Sequence, residues 1–126
     1  MLHTVDMSCL IVDDSVEFLE AARSLLDREG VEVVGVAGSA SDALRRVGEL
    51  RPRVVLLDID LGGESGFEVA RRIERAAASS VILISTHAED DFAEFIAESP
   101  AAGFIPKAEL SARAIQRLVD GQGATG

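Results

Sequence analysis

The chain has 126 residues, which is enough for one domain with a single hydrophobic core. Hydrophobic residues make up 48% of the sequence and aromatic residues only 4%, so we expect an aliphatic core. The net charge of −10 argues against direct binding to nucleic acid or to an anionic membrane surface, because both depend on basic patches. No apolar run approaches the roughly 20 residues that are needed to span a bilayer.

Two further features indicate a soluble cytoplasmic protein. The first six residues have no basic flank and no long apolar stretch, so no signal peptide is predicted. Cys9 is the only cysteine and lies in an apolar run, where we expect a buried thiol and no disulfide framework. No segment that resembles a helix-turn-helix follows residue 119.

Five short apolar runs predict β-strands. Three of them lack polar alternation, as expected of strands that are buried on both faces of a parallel sheet. The predicted strands are residues 10–12, 31–37, 54–57, 81–84 and 104–105. Segments with helical periodicity lie between and after them, at residues 16–29, 40–50, 67–77, 91–98 and 110–119. Ser15 is a suitable N-cap for the first helix, and Gly30 is suited to end it.

The alternation of strand and helix predicts a doubly wound α/β fold with right-handed crossovers and helices on both faces of the sheet. We expect residues 1–126 to form one domain with a core over about residues 8–119. The glycine-rich tail at residues 121–126 is expected to fray.

Reactive side chains follow four of the five predicted strands. Asp13 and Asp14 come after the first, Asp58 after the third, Ser85 after the fourth, and Lys107 shortly after the fifth. In an open α/β sheet the carboxyl ends of the strands form the ligand-binding edge. Each residue alone has an ordinary explanation, as a turn Asp, a cap or a solvated Lys, but the ordered set favours one site.

The composition of this set restricts its chemistry. Three neighbouring carboxylates repel one another, so they stay partly protonated or bind a cation. Oxygen ligands without imidazole or thiolate suit Mg²⁺ or Mn²⁺. A carboxylate beside such a metal can act as a nucleophile toward phosphorus, and a Lys ammonium with a Ser hydroxyl suits the other phosphoryl oxygens.

The ordered motifs resemble those of bacterial two-component response-regulator receiver domains. The likeness rests on the acidic pair after the first strand, the run from Val54 through Asp58 to Gly66, the strand that ends at Ser85, and the segment from Gly103 to Lys107. It covers about residues 8–119. The resemblance implies a flavodoxin-like strand order of 2-1-3-4-5. It also implies a phosphorylation-dependent signalling switch that is not an enzyme, apart from its own phosphorylation and dephosphorylation.

The resemblance also implies a role for individual residues. Asp58 would accept a phosphoryl group from the phosphohistidine of a sensor histidine kinase or a phosphotransfer protein. Asp13 and Asp14 would hold Mg²⁺, or Mn²⁺, together with Asp58 and the backbone carbonyl of Asp60.

Lys107 would pair with the phosphoryl group, and Ser85 would bond one of its oxygens. Phe104 matches the switching aromatic position that turns inward when Ser85 moves. The surface of helix 4, strand 5 and helix 5 would then meet a downstream protein partner or a second copy of the chain.

Four positions depart from the usual family pattern. Gly62 replaces a common proline, so a looser loop is expected after Asp58. Thr86 is larger than usual beside Ser85, and Phe104 lacks the hydroxyl of the frequent tyrosine. Pro106 precedes Lys107 instead of following it, which stiffens the approach to the lysine.

Two alternative functions remain open at this point. The pair Asp58 and Asp60 resembles the motif of haloacid-dehalogenase-type phosphohydrolases, although that motif belongs on the first strand and is normally followed by Gly and a hydroxyl residue. The other alternative is an inactive receiver-like binding module. His3 and His87 are expected to be exposed loop histidines.

Overall fold

The computed structural model describes residues 7–87 and 89–123, except for the side chains of residues 89, 122 and 123. His3 therefore lies outside the described residues. Five parallel strands form one sheet: β1 (Cys9–Val12), β2 (Val33–Ala37), β3 (Val54–Asp58), β4 (Ser80–Ser85) and β5 (Gly103–Pro106). Their spatial order is 2-1-3-4-5, as the family resemblance implied. The helices are α1 (Val16–Arg28), α2 (Ala40–Leu50), α3 (Gly66–Ala76), α4 (Ala93–Glu98) and α5 (Ala112–Gly123).

The sheet divides the core into two layers, which confirms the predicted doubly wound fold. Buried side chains of α2 and α3, among them Val47 and Ile73, pack on one face of the sheet. Leu26 of α1 and Ile115 of α5 pack on the other face. Strands β1 and β3 are buried along their whole length, in agreement with their continuous apolar runs. None of the helices in the described ranges is both long and apolar enough to cross a membrane.

The cap of α1 forms as predicted. The Ser15 hydroxyl accepts a hydrogen bond from the Phe18 amide over 3.2 Å, and Gly30 follows the helix with a φ of +88°. Cys9 is fully buried, as expected.

The fourth helix differs from the prediction. Residues Glu89–Phe92 form a 3₁₀ turn, so the α-helix is shorter than the predicted segment 91–98. No residue of α4 is buried and Phe92 provides no side-chain cap, so little stabilises a longer helix.

The last helix also differs from the prediction, at both ends. It begins at Ala112, because the Ser111 hydroxyl accepts a hydrogen bond from the Ala114 amide over 3.0 Å. It then runs past the predicted end at residue 119 as far as Gly123. Residues 121–123 therefore belong to the helix, residues 124–126 lie outside the described part of the chain, and fraying of residues 121–126 stays a prediction.

The segment after Asp58 forms a small antiparallel hairpin where a looser loop was expected. Asp60–Leu61 pairs with Glu64–Ser65, and the turn between them is Gly62 and Gly63. These glycines have φ values of +57° and +96°, which a two-residue hairpin turn requires and which glycine adopts without steric cost. Gly62 thus permits a tight turn at this position.

Candidate functional site

The carboxyl ends of the strands bring the predicted site residues together. Asp13, Asp58 and Ser85 are the only polar or charged side chains that are buried among the described residues. Asp13 directly follows β1, whereas Asp58 and Ser85 are the last residues of β3 and β4. Lys107 starts a 3₁₀ turn directly after β5. Burying such groups costs free energy unless they are paired, so their shared location marks this edge as a site.

An acidic cluster occupies this edge of the sheet. Asp13, Asp14 and Asp58 each present a carboxylate oxygen, and these oxygens lie within 4.8 Å of one another. Asp14 is exposed, so the cluster opens to solvent on one side. Gly62 lies close by, since a Cβ at this glycine would come within 3.3 Å of Asp14 Oδ2.

Lys107 is the cationic partner of this cluster. Its ammonium lies 2.6 Å from Asp13 Oδ2 and 3.5 Å from Asp58 Oδ2, and its side chain is only 14% exposed. The buried Asp13 Oδ2 accepts no hydrogen bond of good geometry from the described residues. Its contact with Lys107 is an ion pair. One buried carboxylate oxygen thus retains unused ligand capacity, which fits a metal cation.

Asp58 has an unusual protonation equilibrium for an aspartate. Burial disfavours its charged form and raises its pKa to about 6, and the charge of Asp13 acts in the same direction. The Asp60 amide, which donates to Asp58 Oδ1 over 3.1 Å, and the Lys107 ammonium both oppose this rise. At neutral pH the carboxylate is therefore mostly ionised, yet more basic than an exposed aspartate.

Asp13 links the acidic cluster to the start of α1. Its Oδ1 atom accepts a hydrogen bond from the Ser15 amide over 2.9 Å, and its own amide donates to the Ala37 carbonyl of β2 over 3.0 Å. These bonds fix both the backbone and the side chain of Asp13, so its carboxylate is held in place before any ligand arrives.

Ser85 and Phe104, the predicted switch residues, share one face of the sheet. Phe104 pairs in register with Leu83 and packs in the same core layer. Because strand residues two apart point the same way, Ser85 projects from the same face of β4 as Leu83. The Ser85 hydroxyl accepts a hydrogen bond from the His87 amide over 3.0 Å, and Thr86 and His87 are exposed, as expected for His87.

Two contacts near the site were not identified from the sequence. The ring of Phe18 lies below the Lys107 ammonium, with 4.4 Å between the nitrogen and the ring centroid. Gly66 lies against the main chain of Asp58, since a Cβ there would come within 2.5 Å of the Asp58 carbonyl oxygen. Phe18 lies in the segment 16–29 that periodicity predicted as a helix, but no pattern in the sequence indicated a cation as its neighbour.

The chain resembles known regulatory proteins over nearly its whole length. The family model of the response regulator receiver domain matches residues 9–119. The response regulator GacA of Pseudomonas aeruginosa is 34% identical over 118 residues, which are 90% of this chain and 55% of that protein. The DNA-binding transcriptional activator EvgA of Escherichia coli is 30% identical over 104 residues, which are 82% of this chain and 51% of EvgA.

A solved structure supports the same relationship. The signal receiver domain of the response regulator NarL from Mycobacterium tuberculosis superposes with a TM-score of 0.80 and 28% identity, covering 94% of this chain and 98% of that domain. The chain spans about half the length of the curated relatives it matches. The expectation that it does not bind nucleic acid directly stays a prediction, since EvgA is named as a DNA-binding protein.

Proposed function

Because this chain belongs to the family of response regulator receiver domains, we propose that Asp58 is the phosphoryl acceptor of its signalling switch. The observation that carries the proposal is the environment of Asp58, a buried carboxylate at the end of the central strand with a Lys ammonium 3.5 Å away. A basic carboxylate can act as the nucleophile that forms an aspartyl phosphate, and the neighbouring carboxylates and ammonium suit a metal cation and phosphoryl oxygens.

The proposed reaction transfers a phosphoryl group from a phosphohistidine. Asp58 Oδ2 faces Lys107, whereas Oδ1 is engaged by the Asp60 amide, so we assign the attack to Oδ2. Its electron pair forms the new P–O bond while the P–N bond breaks. The leaving imidazole keeps the electron pair of that bond and takes a proton from solvent. The donor is a sensor histidine kinase or a phosphotransfer protein.

The acidic cluster is proposed to hold a divalent cation. Asp13, Asp14 and Asp58 supply carboxylate oxygens, and the backbone carbonyl of Asp60 is the fourth protein ligand that the family resemblance implies. The ligand set contains only oxygen, which favours Mg²⁺ and allows Mn²⁺. When bound, the metal supplies positive charge that offsets carboxylate repulsion and attracts phosphoryl oxygens.

Lys107 and Ser85 are proposed to bind the phosphoryl group once it is on Asp58. The Lys107 ammonium already lies between Asp13 and Asp58, so a short movement brings it to a phosphoryl oxygen. The Ser85 hydroxyl must give up its hydrogen bond from the His87 amide in order to approach the same group.

The output of the switch is proposed to lie on the face formed by α4, β5 and α5. Movement of Ser85 leaves space beside β5 that the Phe104 ring, on the same side of the sheet, can fill. Phe104 also lines a surface groove together with Arg113, Arg117 and Leu118 of α5. A change at Phe104 would alter this groove, where a downstream protein or a second copy of the chain would bind.

The alternative functions receive less support. Asp58 ends the third strand and not the first, which disfavours the aspartate-nucleophile phosphohydrolase. An inactive module would not need the carboxylates and the lysine in contact. We therefore propose self-phosphorylation and self-dephosphorylation at Asp58 as the only chemistry of this chain. The cytoplasm remains the expected compartment, because the sequence has one cysteine and no disulfide framework.

Intact-mass spectrometry tests the proposal directly. Wild type, Asp58→Asn and Asp60→Asn are incubated with acetyl phosphate and Mg²⁺. We expect one added phosphoryl group on wild type and on Asp60→Asn, whose exposed side chain serves as the matched carboxylate control, and none on Asp58→Asn. Phosphorylation of Asp58→Asn under the same conditions would overturn the assignment.

A further inference from the structure

The ion pairs of Lys107 do not by themselves fix the position of its ammonium group. A lysine side chain has four rotatable bonds and carries its charge on a compact ammonium. Asp13 and Asp58 attract this ammonium from one side, at 2.6 and 3.5 Å. Phosphorylation of Asp58 removes the carboxylate charge of that residue, so these ionic contacts change during the reaction. A contact that does not depend on the charge of Asp58 would keep the ammonium close to Asp58 before and after phosphorylation.

Phe18 provides such a contact. Its ring centroid lies 4.4 Å from the Lys107 nitrogen, which is within the distance of about 6 Å at which an aromatic face attracts a cation. The ring is uncharged and offers no hydrogen-bond acceptor for the three ammonium protons. It therefore attracts Lys107 without competing for the donors that a phosphoryl group needs.

The position of Phe18 is fixed by the same residue that pairs with Lys107. Asp13 Oδ1 accepts the Ser15 amide hydrogen bond, and the Ser15 hydroxyl accepts the Phe18 amide hydrogen bond. Asp13 Oδ2, the other oxygen of this carboxylate, contacts Lys107. Asp13, Ser15, Phe18 and Lys107 are thus joined by a closed circuit of contacts. The turn at Asp13 and the helix cap at Ser15 place the aromatic ring of Phe18 beside the ammonium.

We propose that Phe18 is a positioning residue that holds the Lys107 ammonium beside Asp58 for phosphoryl transfer. This role rests on the proposed function, since it concerns the same site. Phe18 acts through Lys107 and does not itself contact the acceptor carboxylate. Lys107 is the only lysine of the chain, so the signals of a lysine ε-methylene group report on this residue alone.

The test compares Phe18→Leu, which keeps an apolar side chain but removes the ring, with Phe18→Tyr, which restores it. Phe95→Leu is the matched control, since it removes an aromatic ring that is largely exposed on α4. For each variant of the 126-residue chain we measure the rate of phosphorylation by acetyl phosphate with Mg²⁺, and the ¹H and ¹³C signals of the Lys107 ε-methylene group without any phosphodonor.

We expect Phe18→Leu to slow phosphorylation by about threefold to tenfold, the rate factor that corresponds to loss of one cation–π contact. Phe18→Tyr and Phe95→Leu should stay within about twofold of wild type on the same scale. The ring current of Phe18 should shift the Lys107 signals upfield in wild type, Phe18→Tyr and Phe95→Leu, and this shift should be lost in Phe18→Leu.

Equal rates in wild type and Phe18→Leu would overturn the proposal, and so would Lys107 signals that do not respond to loss of the ring. A purely structural role is recognised by equal slowing in Phe18→Leu and Phe18→Tyr, which also contradicts the proposal. Failure of wild type to accept a phosphoryl group would refute the proposed function and the positioning role together. The Lys107 signals of the unphosphorylated protein would then still show whether the contact exists.

Discussion

The backbone amide of His87 donates a hydrogen bond to the Ser85 hydroxyl over 3.0 Å. This bond satisfies the buried hydroxyl, and in the proposed switch Ser85 has to give it up in order to reach a phosphoryl oxygen. The His87 ring packs edge-on against Phe92 at 5.8 Å, and Phe92 lies next to Phe67. Movement of Ser85 is thereby connected to an aromatic cluster beside α3 and α4, in addition to Phe104.

The first prediction concerns this connection. A beryllofluoride mimic of the phosphoryl group on Asp58 should shift the amide NMR signal of His87, the ring signals of Phe92 and Phe104, and amides of α5. In Ser85→Ala the bond to His87 is absent at the start, so the response at His87 should be much smaller. NMR shifts confined to the loops around Asp13, Asp58 and Ser85, with no shift in α5, would contradict a conformational change that extends to the output face.

The second prediction concerns the dependence of stability on pH without Mg²⁺. The pKa of Asp58 is about 6 in the folded protein, whereas an unfolded aspartate titrates near 3.9. Between these pH values the folded state binds more protons, so this group makes the protein less stable as pH rises from about 4 to about 7. Asp58→Asn should remove that cost and raise the free energy of unfolding at pH 7 by about 1–3 kcal/mol, with little effect near pH 4.

Urea denaturation at several pH values measures this effect. Asp42→Asn is a control of opposite sign, because the hydrogen bond from Arg45 lowers the pKa of Asp42. The ionised Asp42 carboxylate stabilises the folded protein at pH values above the pKa of an unfolded aspartate, and this stabilisation is lost as pH falls. Asp42→Asn should therefore not stabilise the protein at pH 7. A lower free energy of unfolding for Asp58→Asn than for wild type at pH 7 would show that burial of the charged Asp58 carboxylate does not destabilise the protein.

The third prediction concerns the close approach of α3 to the main chain of Asp58. A Cβ at Gly66 would lie 2.5 Å from the Asp58 carbonyl oxygen and 2.6 Å from Ile59 Cα, and neither backbone atom can move aside cheaply. Gly66→Ala should therefore destabilise the fold by about 1–3 kcal/mol and slow phosphorylation, since it displaces the main chain of the acceptor.

Gly48→Ala is the matched control for this substitution. Gly48 lies within α2, and a Cβ there has no heavy atom within 4 Å. This change should stabilise the protein by about 0.5–1 kcal/mol, as expected for Gly to Ala inside a helix. The midpoint of urea unfolding reports both effects, and a Gly66→Ala protein as stable as wild type would contradict the described contact.

The fourth prediction concerns the metal. Mg²⁺ should raise the melting temperature of wild type, because binding to the folded state stabilises it by RT ln(1 + [L]/Kd). Asp14→Ala should lose most of this shift, whereas Asp27→Ala, which removes an exposed carboxylate at the far end of α1, should keep it. Without metal, Asp14→Ala should melt at the same or a higher temperature, because carboxylate repulsion is relieved. A full Mg²⁺-dependent shift in Asp14→Ala would exclude the acidic cluster as the binding site.

The fold could be predicted from the sequence where local propensity and packing in the folded protein favour the same structure. Strand β3 has a continuous apolar run and is buried throughout, so local preference and burial favour the same structure there. Residues 91–98 were predicted as one helix, but the structure has a 3₁₀ turn at Glu89–Phe92 followed by only 6 residues of α4. Its boundaries depend on packing with the rest of the protein, which periodicity in a short segment does not report.

The shared location of the candidate site residues could be predicted from the sequence, but most of their contacts could not. The strand ends placed Asp13, Asp58, Ser85 and Lys107 at one edge, because the topology alone requires it. The hairpin after Asp58 was missed, since a Gly pair between Asp60–Leu61 and Glu64–Ser65 was interpreted as looseness and not as a turn with two positive φ values. The contact between Phe18 and Lys107 joins residues far apart in the sequence, and no local pattern records it.

The buried thiol of Cys9 has a practical consequence for following the switch. Burial raises the pKa of Cys9 to about 12, so almost none of it is thiolate at neutral pH, and the thiolate is the species that reacts with maleimides. A cysteine introduced by Phe95→Cys, at a position that is 60% exposed on α4, would then be the only readily labelled thiol. The natural sequence therefore already provides the background for a single-site fluorescent or spin label, without replacement of a core residue.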